Sequence, residues 1–148
     1  MNIKEVMTKN PACCTPTMRL DDIARMMVDH DCGEIPVIRS KEKPELMGVI
    51  TDRDICCRAV ATGKCAAATT ANECMTSPVF TVTPETDLAQ ACKVFEQKEV
   101  RRLPVVDSKN NVVGIVSLAD LVERAPEQYA REVLRHASKG AGTGTAAH

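Results

Sequence analysis

Two carboxylates stand in matching settings. Asp54 closes the stretch GVITDRD and Asp120 closes GIVSLAD, each three residues after a hydroxyl (Thr51 or Ser117) and six after a glycine (Gly48 or Gly114). A carboxylate in the first turn of a helix offers acceptor oxygens to the two adjacent hydroxyls of a ribose, the match used by the acidic residue of dinucleotide folds. The hydroxyl of Thr51 or Ser117 can serve the same sugar. The same residues also have a purely local use. A Thr or Ser where a strand becomes a helix caps it by accepting from a backbone N–H, and an acidic residue three positions on approaches a capping box. The glycines would permit a bulge or a close backbone approach. At this level both uses stay open.

A carboxylate repels phosphate, so a phosphorylated ligand needs cations nearby. Arg53 adjoins Asp54, and Arg101 and Arg102 precede Leu103-Pro104. Arginine suits phosphate because its planar fork donates bidentately. The positions that match Arg101 and Arg102 in the first copy are Gly33 and Glu34, and Arg53 is matched by Ala119. The expectation is two unequal clefts. One pairs Thr51 and Asp54 with Arg53 and, from the other copy, Arg101 and Arg102. The other sets Ser117 and Asp120 against Gly33 and Glu34, with little positive charge. The competing use of the arginines is a solvated face or salt bridges to Glu99, Glu34 or Asp52.

The elements that must hold these residues are themselves written twice. Met7-Thr8 recurs as Met75-Thr76, Thr15-Pro16 as Thr83-Pro84, Leu20 as Leu88, and Ile35-Pro36-Val37 as Leu103-Pro104-Val105, all at an offset of 68 residues. By Gly48 and Gly114 the offset is 66, because the polar loop RSKEKPEL is two residues longer than DSKNNV. Leu20, Ile23, Ala24 and Met27, like Leu88, Ala91, Cys92 and Phe95, follow the spacing of an amphipathic helix. Two short β-branched runs and a second helix follow in each copy. With short strands at ACCT and VFTV, each copy reads β-α-β-β-α. The linker ATGKCAAATTANE is Ala-rich enough for helical turns, and a last helix is expected from Pro126, a favoured first-turn residue. Each copy is too small for a large core, so the expectation is one α/β (α+β) module in which the copies pack sheet-to-sheet with pseudo-twofold symmetry.

Composition narrows the function. With 19 basic and 20 acidic residues and 2% aromatics, the chain lacks the basic excess and stacking platforms of nucleic-acid binders. No apolar run reaches transmembrane length, and MNIKEVMTKNP has no apolar export core. The expected setting is therefore cytoplasmic, with no nucleic-acid or membrane partner. Eight cysteines lack any CxxC spacing, and the three histidines are scattered, so no metal site is expected. Most cysteines are read as small buried hydrophobes, with thiol redox sensing as the alternative. No nucleophile–base pattern or phosphate-cradling glycine loop points to catalysis. No catalytic residue is assigned.

The paired motifs CGEIPVI…GVITDRDI and VRRLPVVD…GIVSLADL, each after MT…TP, resemble a tandem pair of cystathionine-β-synthase (CBS) domains, a Bateman module. The likeness spans nearly the whole chain, roughly Ile3 to Arg124, and the expected layout is repeats at 3–62 and 74–125, a linker at 63–73, a C-terminal helix at 126–138 and a flexible tail at 139–148. It implies a regulatory module that binds an adenosine compound (AMP, ADP, ATP or an S-adenosylmethionine type) as a regulatory ligand and uses no catalytic cofactor. By the same likeness Thr51, Asp54, Ser117 and Asp120 hold the ribose, Arg53, Arg101 and Arg102 the phosphate, and Ile35-Pro36-Val37 and Leu103-Pro104-Val105 line the base pocket. It further implies a homodimer that signals to an effector protein. The alternative is a module whose clefts stay empty and which serves as a structural or partner-binding unit.

Overall fold

The computed structural model describes residues 1–142 and the side chains of residues 1–135. It is a mixed helix and strand fold with two repeats. The chain divides into two compact units that cut across those repeats. One, here the Gly48 unit, comprises Asn10–Val79 and Val106–Val113. The other, the Gly114 unit, comprises Met1–Lys9, Phe80–Val105 and the residues from Gly114 onward.

In the Gly48 unit, helix α1 (Leu20–Asp29) buries Leu20, Ile23 and Met27, the stripe its periodicity predicts. It ends where Asp31 turns left-handed at φ 48°. Strands β2 (Glu34–Ile38) and β3 (Leu46–Thr51) pair antiparallel, with Glu34 opposite Thr51, Ile35 opposite Ile50 and Val37 opposite Gly48. Ile35, Val37 and Ile50 join the α1 stripe in one aliphatic core. The chain then enters α2 (Asp52–Asp54), which widens into a π turn over Ile55–Ala59 and tightens to a 3₁₀ turn over Val60–Thr62. The linker holds a 3₁₀ turn at Ala66–Ala68 and a short helix α3 (Ala71–Cys74).

The Gly114 unit repeats the plan. Helix α4 (Leu88–Lys98) is capped by the Asp87 side chain, which accepts from the Ala89 N–H, and it buries Leu88, Ala91, Cys92 and Phe95. It too ends on a left-handed residue, Glu99 at φ 53°, at the position matching Asp31. The sheet runs β1 (Thr8–Lys9), β5 (Val112–Ser117), β4 (Arg102–Val106). Helix α5 (Leu118–Arg124) follows β5, and α6 (Glu127–Gly142) packs on α5 and α4. The Pro126 carbonyl accepts the Tyr129 N–H at the start of α6. The helix thus runs past the expected end at 138, and residues 143–148 of the expected tail lie outside the described residues.

One expectation changes. The runs ACCT and VFTV do not form strands. Each keeps one parallel bridge, Cys14 to Val37 and Val82 to Val105. The Met-Thr segments, which the repeat alignment marks but gives no role, pair with strands. Thr8 pairs with Ile115, and Lys9 with Gly114. Thr76 bridges Val49 through two backbone hydrogen bonds of 2.8 and 3.0 Å. Each unit therefore combines the body of one repeat with the leading segment of the other.

The glycines make this docking possible. A Cβ on Gly48 would stand 2.7 Å from the Thr76 carbonyl oxygen and 3.0 Å from the Met75 sulfur. One on Gly114 would stand 2.6 Å from the Met7 sulfur and 3.0 Å from the Thr8 carbonyl oxygen. A backbone oxygen cannot swing aside as a thioether can. Gly48→Ala is therefore expected to lose about 1–3 kcal/mol, the usual cost of overpacking, and Gly114→Ala less. Urea unfolding measures both, and equal midpoints for Gly48→Ala and the native protein would refute the close-approach role of Gly48.

Candidate functional site

Thr51 ends β3 in extended conformation and caps the helix that follows. Its Oγ1 accepts from the Asp54 N–H at 2.9 Å, and its own N–H donates to Asp54 Oδ2 at 3.0 Å. Ser117 repeats the geometry. Its Oγ accepts from the Asp120 N–H at 3.0 Å, and its N–H donates to Asp120 Oδ2 at 2.8 Å. Both capping boxes are closed, so the local use of these residues is real. It does not exhaust them. An ionised carboxylate has about four acceptor positions, and the boxes draw on one oxygen of each. The side chains of Asp54 and Asp120 are 12% and 16% exposed, enough to present the second oxygen to a ligand.

That second oxygen faces an arginine that the motif reading missed. Arg58 Nε lies 3.7 Å from Asp54 Oδ1, and Arg124 Nη1 lies 3.9 Å from Asp120 Oδ1. Each arginine also reaches the docked leading segment. Arg58 Nη1 donates to the carbonyls of Cys74 and Met75 at 3.2 and 3.1 Å, and Arg124 Nη1 donates to that of Val6 at 3.2 Å. In the Gly48 unit the Thr76 hydroxyl adds long contacts of 3.5 Å to both oxygens of Asp54. A signal was present in the sequence: both arginines stand four residues after their aspartate, 66 apart, like Gly48 and Gly114.

The expected base-pocket residues lie on β2 and β4 and are all buried. Ile35, Val37, Leu103 and Val105 are at most 1% exposed. The carbonyls of Pro36 and Pro104 are engaged by the N–H groups of Cys14 and Val82. These residues build the aliphatic floor on which each carboxylate's strand rests.

Arg101 and Arg102, expected to reach Thr51 and Asp54 from the other copy, lie in the Gly114 unit at the start of β4, where the Arg101 carbonyl accepts the Leu118 N–H at 3.0 Å. The cause is the hairpin. Antiparallel pairing folds the start of β4 back to the end of β5, beside Ser117. The matching bond in the Gly48 unit runs from the Asp52 N–H to the Gly33 carbonyl, also 3.0 Å. Gly33 and Glu34 therefore border Thr51, and a Cβ on Gly33 would sit 2.9 Å from Asp52 Oδ2. Arg53 is exposed on α2, with its N–H bonded to Asp52 Oδ1. The Gly114 unit also has an open depression of about 760 Å³ lined by Lys4, Glu5, Met7, Thr8, Lys9 and Arg124. At the positions of Lys4 and Lys9 the Gly48 unit has Asn72 and Ser77.

The duplicated hairpin, capped carboxylate and leading segment define a tandem-repeat architecture, and comparison with known proteins places it. The CBS domain family model matches residues 3–59 and 71–127, and the chain belongs to that family. Among curated relatives, the CBS domain-containing protein YhcV of Bacillus subtilis is 38% identical over 120 residues, covering 81% of this chain and 82% of YhcV. Hypoxic response protein 1 of Mycobacterium tuberculosis is 31% identical over 124 residues, covering 84% and 85%. The crystal structure of Hypoxic Response Protein I with two coordinated zinc ions matches at TM-score 0.76 and 28% identity, over 85% of this chain and all of that one. The CBS domain pair of protein MJ0100, in complex with 5′-methylthioadenosine and S-adenosyl-L-methionine, matches at TM-score 0.72 and 26% identity, over 82% and 96%.

Among the described residues no group of three or more His, Cys, Asp or Glu is placed to hold a metal, and none of the helices is long and apolar enough to cross a membrane. All eight cysteines are free thiols. The expectation that most are buried is overturned. Cys14, Cys74 and Cys92 are buried, Cys13 and Cys32 half-buried, and Cys56, Cys57 and Cys65 exposed. The exposed three lie on the outer turns of the α2 helix and in the linker, where no strand or helix packs over them. Burial pushes the thiol pKa of Cys14 up to about 12 and those of Cys13 and Cys92 up to about 11. Raised values leave these groups protonated at pH 8, and the thiolate is the nucleophile. Brief treatment of the native protein with iodoacetamide at pH 8 should therefore alkylate Cys56, Cys57 and Cys65 first, with Cys14 and Cys92 reacting only after unfolding. Peptide mass spectrometry reads the order, and early modification of Cys14 would contradict it.

Proposed function

We propose that this protein is a regulatory module that binds adenosine compounds, with Thr51 and Asp54 clamping one ribose and Ser117 and Asp120 another. The observation that carries the reading is the duplicated carboxylate: capped through one oxygen, half a turn inside its helix, with the other oxygen still able to accept. The MJ0100 domain pair supports it, since that relative holds two adenosine compounds. The charges around the clamps divide the ligands. Arg101 and Arg102 stand at the helix start that carries Ser117 and Asp120, so a phosphate-bearing ligand belongs there. Gly33 and Glu34 border Thr51 and Asp54, where an uncharged or sulfonium adenosine compound fits better and Arg53 is the cation adjacent in sequence. Ile35-Pro36-Val37 and Leu103-Pro104-Val105 serve as aliphatic support for the base. The module has no catalytic role of its own and acts in the cytoplasm as a homodimer, through an effector protein.

A second reading has one observation in its favour: the closed capping boxes already give Thr51, Asp54, Ser117 and Asp120 a structural use, so a partner-binding module with empty clefts would need the same residues. Thermal unfolding separates the two. With AMP, ADP, ATP, 5′-methylthioadenosine or S-adenosylmethionine at 100 times Kd, the stability gain is about 2.7 kcal/mol, or roughly 5–10 °C for a chain of this size. The Arg101→Met/Arg102→Met variant should weaken ADP and ATP at least about tenfold, the worth of a charged hydrogen bond, and leave 5′-methylthioadenosine unaffected. No shift with any of the five at millimolar concentration would leave the partner-binding reading in possession.

A further inference from the structure

Arg58 and Arg124 link two things that the motif treats as separate, the carboxylate and the leading segment of the other repeat. We propose that Arg58 is a positioning residue that couples occupancy of the Asp54 carboxylate to the docking of residues 74–76, and that Arg124 does the same for Asp120 and residues 6–8. The coupling rests on the ligand reading above.

The bond lengths carry the argument. Arg58 is anchored firmly to the leading segment, through Nη1 to the carbonyls of Cys74 and Met75 at 3.2 and 3.1 Å. Its hold on Asp54 is slack, at 3.7 Å, and so is that of the Thr76 hydroxyl at 3.5 Å. Contacts of that length are weak, whereas the Thr51 N–H holds Asp54 Oδ2 at 3.0 Å. A diol that takes the outer oxygen therefore displaces the slack contacts and leaves the capping box intact. The groups it displaces, a guanidinium and a hydroxyl, are those that fasten residues 74–76. Arg58 sits on the π turn Ile55–Ala59, and such turns re-aim side chains and recur at functional sites.

The two units differ in degree. Ser117 Oγ lies 2.9 Å from Asp120 Oδ2, so Asp120 is held more tightly by its own cap. Among the described residues Arg124 bonds one backbone carbonyl and Arg58 two. The stronger coupling is assigned to Arg58. Because residues 74–76 lead directly into the body of the second repeat, a ligand on the first repeat's clamp acts on the chain of the second.

Hydrogen exchange of the full chain tests this at the amides of Val49 and Thr76, which bond each other's carbonyls. Without ligand, Arg58→Met should speed exchange at Thr76 at least about tenfold, the worth of its charged hydrogen bonds, and Arg58→Lys should restore part of the protection. With saturating S-adenosylmethionine, exchange at Thr76 should change in the native protein and stay constant in Arg58→Met. Unchanged exchange in ligand-free Arg58→Met, or a ligand response that survives in it, overturns the coupling and leaves the ligand reading standing. If the native protein's melting temperature does not respond to S-adenosylmethionine or the nucleotides, the ligand reading fails first and the coupling falls with it.

Discussion

The close approach of each Met-Thr segment to a glycine of the other repeat's strand is the contact on which the rest depends. The backbone oxygen of Thr76 occupies the space a Cβ on Gly48 would fill, and the Met7 side chain does so at Gly114. Without that approach the bridge between Val49 and Thr76 could not close, and Arg58 and Arg124 would lose the carbonyls they hold. The glycine of the repeated motif thus has a reason apart from bulges or turns. It is the landing site for a segment more than twenty residues away in one unit and more than a hundred in the other.

The carboxylates show how one group can be structural and available at once. A capping box consumes one oxygen and leaves the other at the edge of the helix, shielded but not sealed. The arginine one turn on stands near that oxygen without closing on it, because its shorter bonds go to backbone carbonyls. The capping and ligand uses, which the spacing alone left open, are compatible: closing the box fixes the orientation a diol would need. The asymmetry of charge follows from the hairpins. What precedes β2 or β4 lies beside the helix that follows β3 or β5, so the residue types at 33–34 and 101–102 set the charge beside each capped carboxylate.

The family, the presence of two repeats, the helix stripes and the four capping-box residues were legible in the chain. The reason is that each depends on local periodicity or on spacing within seven residues. Leu20, Ile23 and Met27 are buried as their spacing demands, and Thr51 and Asp54 meet because they stand three positions apart where a helix begins. The position of Arg101 and Arg102 beside Ser117 was legible too, since any antiparallel hairpin brings its ends together. The cysteines misled. Cys56 and Cys57 sit in an apolar-looking run, yet their helix presents that side outward, and residue type alone does not say which side a neighbour covers.

By itself, then, the sequence determined that two like units exist, which residues cap their helices and where opposite charges fall along the chain, because those facts are settled by interactions over one or two helical turns. Only the tertiary structure decided which leading segment serves which unit, that Arg58 and Arg124 join the capped carboxylates to those segments, and which cysteines face solvent. Those outcomes depend on contacts between residues far apart in the chain, and local spacing does not settle them.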